Sequence, residues 1–303
     1  MLIFSLIIPT CNRSGSLQRL LHSVDVLVIP PGSNAEVIAV DNGSVDDTPR
    51  VLAERCQVGR DVPFHALTEA RKGKASALNR GLAAAKGDIL LIVDDDVVVD
   101  SQLLVKHLEA YECKGFDAIQ GRILPGVDPD GNQADRSRLR EYNIPYIDYG
   151  EDIHEIRGLT GTNMSFTRQV FDKVGFFDSR LGPGAAGFSE DTEYSIRIRN
   201  AGFKIGYTPG AIVYHELNPK RYGRAYNRMV EYRKGLSRSI YRQDSIAFRV
   251  MPNLVANSLR YGMYRIAGKS QKAYKTEGRI MKCCGYLMGK LRGVRDLDRH
   301  SQV

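Results

Sequence analysis

Short apolar runs alternate with amphipathic segments through the first hundred residues. The runs that indicate buried strands are Leu2 to Ile8, Glu36 to Val40, Phe64 to Leu67 and Ile89 to Val93. Apolar residues recur at helical spacing between them, and the first such face consists of Leu17, Leu20, Leu21 and Val24. Strands that alternate with helices form parallel sheets covered on both faces. We therefore predict an α/β fold with a Rossmann-like, mostly parallel central sheet and flanking helices.

The pattern is less regular beyond residue 100. Asp191 to Ala201 is predicted to be a helix, and Phe203 to Tyr207 and Ala211 to Tyr214 are predicted to be strand segments. Three amphipathic helical patterns follow Pro219. The sequence thus predicts further strands, and then a region made of helices.

The balance of charge changes where these last helices begin. From Pro219 onward the chain has 20 Lys and Arg against 5 Asp and Glu, whereas the preceding residues have 23 against 30. We expect one domain over residues 1–218, with halves of about 1–100 and 101–218, and a basic helical extension over 219–303. A basic block suggests an anionic partner surface, of which phospholipid headgroups are the simplest. Solvated helices packed on the domain are an equal alternative, and nucleic acid is a distant third.

The chain also indicates where the protein resides. The apolar start, MLIFSLIIP, lacks a basic leader and a cleavage site, so we interpret it as the first strand. No segment approaches about twenty consecutive apolar residues, so no membrane crossing is expected. The five cysteines are odd in number and lack the paired spacing of a zinc finger. A reducing cytoplasm is the expected setting.

Three consecutive carboxylates, Asp94 to Asp96, directly follow the apolar run that ends at Val93. Burying an unpaired carboxylate costs several kcal/mol, so a positive partner is expected there. If the strand continues, Asp94 and Asp96 share one side and can hold a hard divalent cation. The alternative is that these acids cap a helix. We favour the metal, because Asp100 and Ser101 already suit the capping role.

Polar residues also follow the other predicted strands, at the edge where ligands of such sheets bind. Asp41 is suited to accept hydrogen bonds from a base or a ribose, or equally to form an Asx turn in the segment DNGS. Lys74 could reach phosphate oxygens, although a single lysine is more often an exposed one. The glycine spacings of a P-loop and of a dinucleotide-binding loop are absent from the sequence.

Two later positions have both a structural and a chemical interpretation. Asp191 lies in the first turn of a predicted helix, where an acid interacts with the helix dipole or can act as a general base. His215 ends a predicted strand. As a single residue it is more often a packed core histidine than a ligand.

The order of several segments resembles family 2 of the nucleotide-sugar glycosyltransferases, which have the GT-A fold. The segments are SLIIPTCNR, VIAVDNGSVDDT, GKASALNRGLAAAKGDILLIVDDD, TGTNMSF, GFFDSRLG, SEDTEYSIRIRNAGFKI and VYHE. The resemblance extends from about residue 3 to about residue 216, and it lies in the order and spacing of the motifs. It implies a nucleotide-sugar half over about 1–100 and an acceptor half over about 101–218.

The resemblance also implies roles for individual residues. The Asp-x-Asp motif of the family falls on Asp94 to Asp96, so that Asp96 binds Mn²⁺ or Mg²⁺ and Asp94 contacts the ribose. Asp191 becomes the base that activates the acceptor hydroxyl, and His215 a further metal ligand rather than a core residue. The residues expected at the nucleotide-sugar donor are Pro9, Thr10, Asn12, Asp41, Lys74, Asp94 and Asp95.

The implied activity is metal-dependent, inverting transfer of one sugar from a nucleotide diphosphate donor, expected to be a UDP-sugar. The acceptor would be a hydroxyl of a glycan or lipid-linked molecule in cell-envelope or exopolysaccharide synthesis. The cytoplasmic enzyme would attach peripherally to the inner face of the membrane. The QxxRW motif of processive synthases is absent, as is tryptophan, so a single transfer is expected. A sugar-nucleotide nucleotidyltransferase is the alternative enzyme, but PTCNRSGS is not its glycine-rich loop. A non-catalytic binding module is the third possibility.

Overall fold

The computed structural model describes residues 1–59, 61–126, 146–218, 221 and 223–293. Its chain divides into two compact units. Among the described residues, the first unit contains 1–126, 146–178 and 191–217, and the second contains 179–190 and the residues from 218 onward. The expected domain boundary at residue 218, and the division into donor and acceptor halves, remain predictions.

The first unit is built on one nine-stranded sheet. Its strands are β1 (Leu2–Thr10), β2 (Ser33–Asp41), β3 (Phe64–Thr68), β4 (Ile89–Val93), β5 (Val97–Val99), β6 (Ala118–Pro125), β7 (His154–Ile156), β8 (Asn163–Thr167) and β9 (Ile205–His215). They lie in the order β3-β2-β1-β4-β8-β6-β9-β5, and β7 pairs with β9.

Parallel pairing joins β3, β2, β1 and β4 and also joins β6 to β9. The pairs β4–β8, β6–β8, β5–β9 and β7–β9 are antiparallel. The predicted fold class, an α/β fold with a central sheet and flanking helices, is therefore confirmed. The parallel part is concentrated in the first hundred residues, where the sequence alternates most regularly.

Helices connect the strands of this unit. They are α1 (Ser14–Val24), α2 (Thr48–Gln57), α3 (Lys74–Ala84), α4 (Leu103–Lys114), α5 (Arg168–Val174) and α6 (Glu190–Asn200). α2 begins with proline at its second residue, where the missing N–H has no helical partner. In α1 the predicted face, Leu17, Leu20, Leu21 and Val24, is buried.

The central strand β4 shows why the sheet is apolar on both sides. All five of its residues are buried, with Ile89, Leu91 and Val93 in one core cluster and Leu90 and Ile92 in another. Neighbouring side chains of a strand point to opposite faces. The continuous apolar run therefore places hydrophobic groups on both faces, as expected for a strand with helices on each side.

Two details differ from the sequence expectation. β5 begins directly after the acids and pairs with β9 at the far edge of the sheet, although we had not predicted a strand there. The segments expected as two strands, 203–207 and 211–214, form the single strand β9. Its register with β6 shifts between Gly121 and Arg122. A bulge of this kind lets one long strand bend while pairing continues.

The second unit contains the three helices expected after Pro219. They are α7 (Arg224–Tyr241), α8 (Met251–Ile266) and α9 (Ser270–Arg292), with a π-helical segment over Ile246–Val250 before α8. A Cβ atom on Gly235 of α7 would lie 2.1 Å from the carbonyl oxygen of Lys282 in α9. Glycine thus lets these two helices approach closely. Among the described residues, no helix has both the length and the hydropathy required to cross a bilayer.

Candidate metal centre

The centre of the site is the turn that follows β4. The strand ends at Val93, and Asp95 and Asp96 lie in a turn. One ligand atom from each of Asp94, Asp96 and His215 lies within 4.8 Å of the others. The assumption that the strand continues through the acids is thus wrong, but Asp94 and Asp96 still converge. The turn, not the pleat of a strand, brings their carboxylates together.

His215 completes this cluster from the end of β9, opposite Val97 in β5. Its ring is buried, and Nδ1 lies 2.8 Å from the carbonyl oxygen of Glu216. A carbonyl oxygen only accepts, so Nδ1 must donate the proton of this bond. In the neutral ring Nε2 then carries a lone pair, and it lies 3.3 Å from Oδ1 of Asp96. Two carboxylates and an imidazole nitrogen form a donor set that suits a divalent cation.

Arg13 is a partner of the acids that the sequence analysis did not identify. Its Nη1 donates to Oδ2 of Asp96 at 2.5 Å, and its Nε lies 3.7 Å from Oδ1 of Asp95. Burial opposes the charge of this guanidinium, but the attraction of Asp96 and Asp95 raises the pKa of Arg13 above its ordinary value. The positive partner expected beside the three carboxylates is therefore part of the chain itself.

Asp95 occupies a different environment from its two neighbours. Burial raises the pKa of Asp95 to about 7; the charge of Arg13 opposes this shift, and that of Asp96 adds to it. Asp95 is not among the residues whose ligand atoms form the cluster. Its expected contact with the donor remains a prediction.

Lys74 and Thr162 hold Asp94. Lys74 is the first residue of α3, and its Nζ forms an ion pair with Oδ1 of Asp94. Thr162 Oγ1 donates to Oδ2 of the same carboxylate at 2.8 Å. The side chain of Lys74 is only 17% exposed, so it is not the ordinary surface lysine that was the alternative. Its role at a phosphate remains a prediction.

The loops after β1 and β2 are joined to each other. Ser44 Oγ accepts a hydrogen bond from the Asn12 amide at 2.8 Å, and Asn12 Oδ1 accepts one from the Val45 amide at 2.7 Å. Asn12 has a φ of 53°, a left-handed conformation that asparagine tolerates. Pro9 and Thr10 are buried at the end of β1. The hydrogen bonds of Asn12 are made to the neighbouring loop. The base pocket expected around Pro9, Thr10 and Asn12 remains a prediction.

Asp41 and Asn42 both stabilise the loop after β2. Oδ1 of Asp41 accepts from the Ser44 amide, three residues further on, at 3.1 Å, so the side chain binds the backbone of its own loop. Asn42 donates to the carbonyl oxygens of Glu69 and Arg71 and accepts from the Gly73 amide at 2.7 Å. Asn42, which the sequence analysis did not identify, thus positions the residues that lead into Lys74.

Asp191 lies in the first turn of α6 and faces the segment that also holds Asp94. Its Oδ2 accepts from the Gly161 amide at 3.2 Å. Thr162, the next residue, donates to Asp94. Two adjacent residues therefore bind the expected base, Asp191, and one acid of the candidate metal centre, Asp94. The segment Gly161–Thr162 brings together two acids that are far apart in the sequence.

A network of hydrogen bonds between buried polar side chains adjoins the segment Gly161–Thr162. His107, in α4, is fully buried; its Nε2 lies 3.0 Å from Asn163 Oδ1, and its Nδ1 lies 2.9 Å from Ser165 Oγ. Burial lowers the pKa of His107 to about 4, partly opposed by the bond to Asn163. Gln120 accepts from the Thr160 amide and donates to the Asn163 carbonyl oxygen. The network fixes residues on both sides of Gly161–Thr162.

A cavity of about 630 Å³ adjoins the same segment. Its lining residues are Tyr149, His154, Ile156, Arg157, Gly158, Leu159 and Thr160. The Tyr149 ring packs edge to face on Tyr207 at 5.2 Å between centroids. The Leu159 amide donates to Ser195 Oγ, which in turn donates to the Asp191 carbonyl oxygen. The cavity thus lies beside the first turn of the helix that carries Asp191.

The fold is that of the GT-A glycosyltransferases, and comparison with known proteins identifies the family. Residues 5–175 match the family described as glycosyl transferase family 2, and the chain belongs to it. The family and the GT-A fold expected from the sequence motifs are confirmed, and the expected enzyme class, a glycosyltransferase, is that of the family.

Three known proteins illustrate the similarity. A probable glycosyltransferase, YdaM, of Bacillus subtilis is 28% identical over 70% of this chain and 50% of its own. The glucosyl-dolichyl phosphate glucuronosyltransferase of Haloferax volcanii is 26% identical over 60% of this chain and 59% of its own. The solved structure of the mannosyltransferase PcManGT from Pyrobaculum calidifontis, in complex with GDP-Man and Mn²⁺, has a TM-score of 0.65 at 17% identity. It covers 95% of this chain and 86% of its own.

The chain spans only about half of the length of the first of these relatives and 59% of the second. Both therefore contain regions that this sequence does not match. The similarity to PcManGT supports the fold and is too low in sequence identity to transfer its ligands.

Proposed function

We propose that this protein is a metal-dependent glycosyltransferase that moves one sugar from a nucleotide diphosphate donor to a hydroxyl group with inversion at the anomeric carbon. The observation that carries the proposal is the convergence of Asp94, Asp96 and His215 in a chain of glycosyl transferase family 2. The three residues come from the end of a central strand and the end of β9, which are far apart in sequence.

The residues present fit a divalent cation, either Mn²⁺ or Mg²⁺. Asp96 and His215 would hold it, and Asp94, which the sequence placed at the ribose, is close enough to share it. Oxygen and imidazole ligands suit both metals, and Mn²⁺ accepts the imidazole more readily than Mg²⁺ does. When bound, the cation would stabilise negative charge on the departing diphosphate.

The remaining residues of the site would bind the nucleotide-sugar donor. Arg13 and Lys74 neutralise Asp96 and Asp94 within the chain, and their positive charges would also attract the phosphate groups of a donor. Pro9, Thr10, Asn12 and Asp41 would surround the base, because they lie at or just after the ends of the neighbouring strands β1 and β2 at the same edge of the sheet.

Asp191 would accept the proton of the acceptor hydroxyl. A general base needs an ionised carboxylate placed next to the attacking oxygen. The bond from Gly161 orients Asp191, and the cavity beside it offers space and an aromatic ring, Tyr149, for an acceptor sugar. The hydroxyl would attack the face of the anomeric carbon opposite the diphosphate, which inverts the configuration in a single displacement.

The substrates are proposed at the level of chemical class. Among the similar proteins, one is named for a dolichyl phosphate substrate, and another is in complex with GDP-Man and Mn²⁺. A lipid-linked or glycan acceptor in cell-envelope or exopolysaccharide synthesis fits the family. We propose a UDP-sugar as the donor, and a GDP-sugar is the specific alternative that the test must include.

The experiment is a thermal-shift screen followed by product analysis. UDP, GDP and their sugars are added with Mn²⁺ or Mg²⁺, and any ligand that prefers the folded state raises the melting temperature. The best donor is then incubated with metal alone. Metal-dependent release of a nucleoside diphosphate is the expected result. Release of pyrophosphate in a synthesis reaction would favour a nucleotidyltransferase, and binding without any release would favour a non-catalytic module.

A further inference from the structure

Helix α8 carries an apolar stripe on its outer side. Met251, Val255, Leu259 and Met263 recur every four residues, and Ile266 continues the same side. Their exposed fractions are 42, 54, 66, 58 and 91% in that order, and Phe248, just before the helix, is 89% exposed. Isolated exposed apolar residues are ordinary, but six large ones within a short segment, five of them on one side of a helix, are not.

The opposite side of α8 is the one that packs against the protein. Asn257 is 4% exposed, and Leu254, Tyr261 and Tyr264 are partly buried. The helix therefore turns its more polar side inward and its apolar stripe outward. An amphipathic helix of a soluble protein normally does the reverse. The stripe of α8 is thus available to a surface that is itself apolar.

The charged residues of α8 and of the segments next to it are mostly basic, and the acid just before them, Asp244, is paired with Arg238 and Arg249. From Ser245 to Thr276 the sequence has six basic residues and no Asp or Glu; the basic residues are Arg249, Arg260, Arg265, Lys269, Lys272 and Lys275. One residue is about 100° around an α-helix. Arg260 follows Leu259 and Arg265 precedes Ile266, so the two guanidinium groups lie on opposite sides of the stripe.

We propose that this face of α8 binds in the plane of a membrane that contains anionic phospholipids, with the apolar stripe in the acyl region and the arginines at the headgroups. An exposed apolar stripe between rows of basic residues is the arrangement of interfacial helices. A second copy of the chain is a poorer occupant, because pairing two such faces would bring their positive charges together.

The proposal narrows the membrane contact expected for residues 219–303 to one helix and its flanking segment. It concerns a different surface from the candidate metal centre. Its test measures binding and requires no catalytic turnover, so the result does not depend on the proposed glycosyl transfer.

The test is flotation of the full chain with two kinds of vesicle, one of pure phosphatidylcholine and one in which part of the lipid is phosphatidylglycerol. We expect flotation with the anionic vesicles at low salt and weaker flotation at high salt, because salt screens the headgroup attraction. Failure to float with anionic vesicles at low salt would overturn the proposal.

Two pairs of variants separate the apolar and the electrostatic parts. Leu259→Glu is expected to reduce partitioning at least about tenfold, and Val58→Glu, at a half-exposed valine of the first unit, is expected to leave it unchanged. Arg260→Gln is expected to reduce partitioning about fivefold, and Arg199→Gln, at an exposed position on α6, is the matched control. Circular dichroism would verify that each variant is folded.

Two further results would contradict the proposal. One is unchanged flotation of Leu259→Glu, since binding would then use another surface. The other is a dimer, seen by size exclusion, that Leu259→Glu dissociates while the wild-type chain fails to float. In that case a second copy, and not a membrane, would cover the stripe.

Discussion

The candidate metal centre and helix α8 distribute polar and apolar side chains in opposite ways. At the candidate metal centre, Asp96 and His215 and the neighbouring Asp95 are at most 8% exposed, so polar and charged groups lie inside the protein. On α8, Leu259 and Ile266 are at least 66% exposed, so apolar groups lie outside. Neither arrangement is what folding alone favours.

The two regions differ in how the free-energy cost of burying charged groups or exposing apolar groups is offset. The acids of the metal centre have internal partners, because Arg13 pairs with Asp96 and Lys74 pairs with Asp94. The stripe of α8 is outside the protein and carries basic residues on each side. The comparison shows two ways in which a protein accommodates unusual burial. Buried charged groups can be neutralised by opposite charges inside the protein, and exposed apolar groups can remain on the surface for a partner. In both cases the unusual burial marks a place where a bound ligand would reduce the free-energy cost.

The largest expected effect comes from breaking the metal centre. Asp96→Asn removes a ligand carboxylate and leaves Arg13 without its closest partner. We expect sugar transfer to fall roughly a hundredfold to a thousandfold, because charge on the leaving diphosphate is no longer stabilised. Mn²⁺ titration by calorimetry should show weaker binding, with Asp172→Asn, at an exposed acid of α5, as the control. Unchanged Mn²⁺ affinity in Asp96→Asn would exclude this carboxylate as a ligand.

Removing the proposed base should have a similar effect on turnover and a different effect on binding. Asp191→Asn keeps the size of the side chain and the possible bond to Gly161, but it cannot accept a proton. We expect transfer to fall roughly a hundredfold to ten thousandfold, with donor affinity nearly unchanged. Steady-state kinetics and donor titration measure the two quantities separately. An equal loss of donor affinity in Asp191→Asn and Asp96→Asn would contradict the division of roles.

The sequence predicted the acids of the centre but not their partners. Strand ends are recognisable from apolar periodicity, so Asp94 and Asp96 could be placed at the edge of the sheet, whereas only the family resemblance brought His215 to them. Arg13 and Thr162 could not be predicted, because their contacts with the acids span 83 and 68 residues and follow no local pattern.

Other features of the structure could not be predicted from the pattern of apolar and polar residues either. β5 is three residues long, too short for its alternation to be distinguished from a loop or a helix start. An amphipathic helix at α8 was predicted from the spacing of its apolar residues, but periodicity does not reveal which side of a helix faces the protein. His107 lies in an ordinary helical segment with no motif around it. Only the packed structure shows that α8 turns its stripe outward and that His107 is buried under the site.

The network under Gly161–Thr162 predicts a dependence of stability on pH. Because His107 has a pKa of about 4 in the folded protein and of about 6.5 when unfolded, the unfolded chain binds a proton first as the pH falls. The stabilisation is complete above pH 6.5 and is lost progressively towards pH 4. The loss from this residue is about 3 kcal/mol.

Denaturant unfolding between pH 4 and pH 7 measures this effect. His107→Gln is expected to be less stable at neutral pH and to show a shallower pH dependence, because the group that titrates is gone. His22→Gln, at an exposed histidine of α1, is the matched control. An unchanged pH dependence in His107→Gln would show that other groups dominate.

The smallest expected effect concerns the cavity beside Asp191. Substitutions in this cavity test whether the polar site around the candidate metal centre also binds the acceptor. Tyr149 lines the cavity and has 51% of its surface exposed, while its ring packs on the buried Tyr207. Tyr149→Ala should raise the acceptor KM up to about tenfold, since aromatic packing contributes about 0.5–1.5 kcal/mol. Tyr149→Phe keeps the ring and should retain most of the affinity, and donor hydrolysis without acceptor should be unchanged in both variants. If Tyr149→Ala instead slows donor hydrolysis and leaves the acceptor KM unchanged, the cavity belongs to the donor.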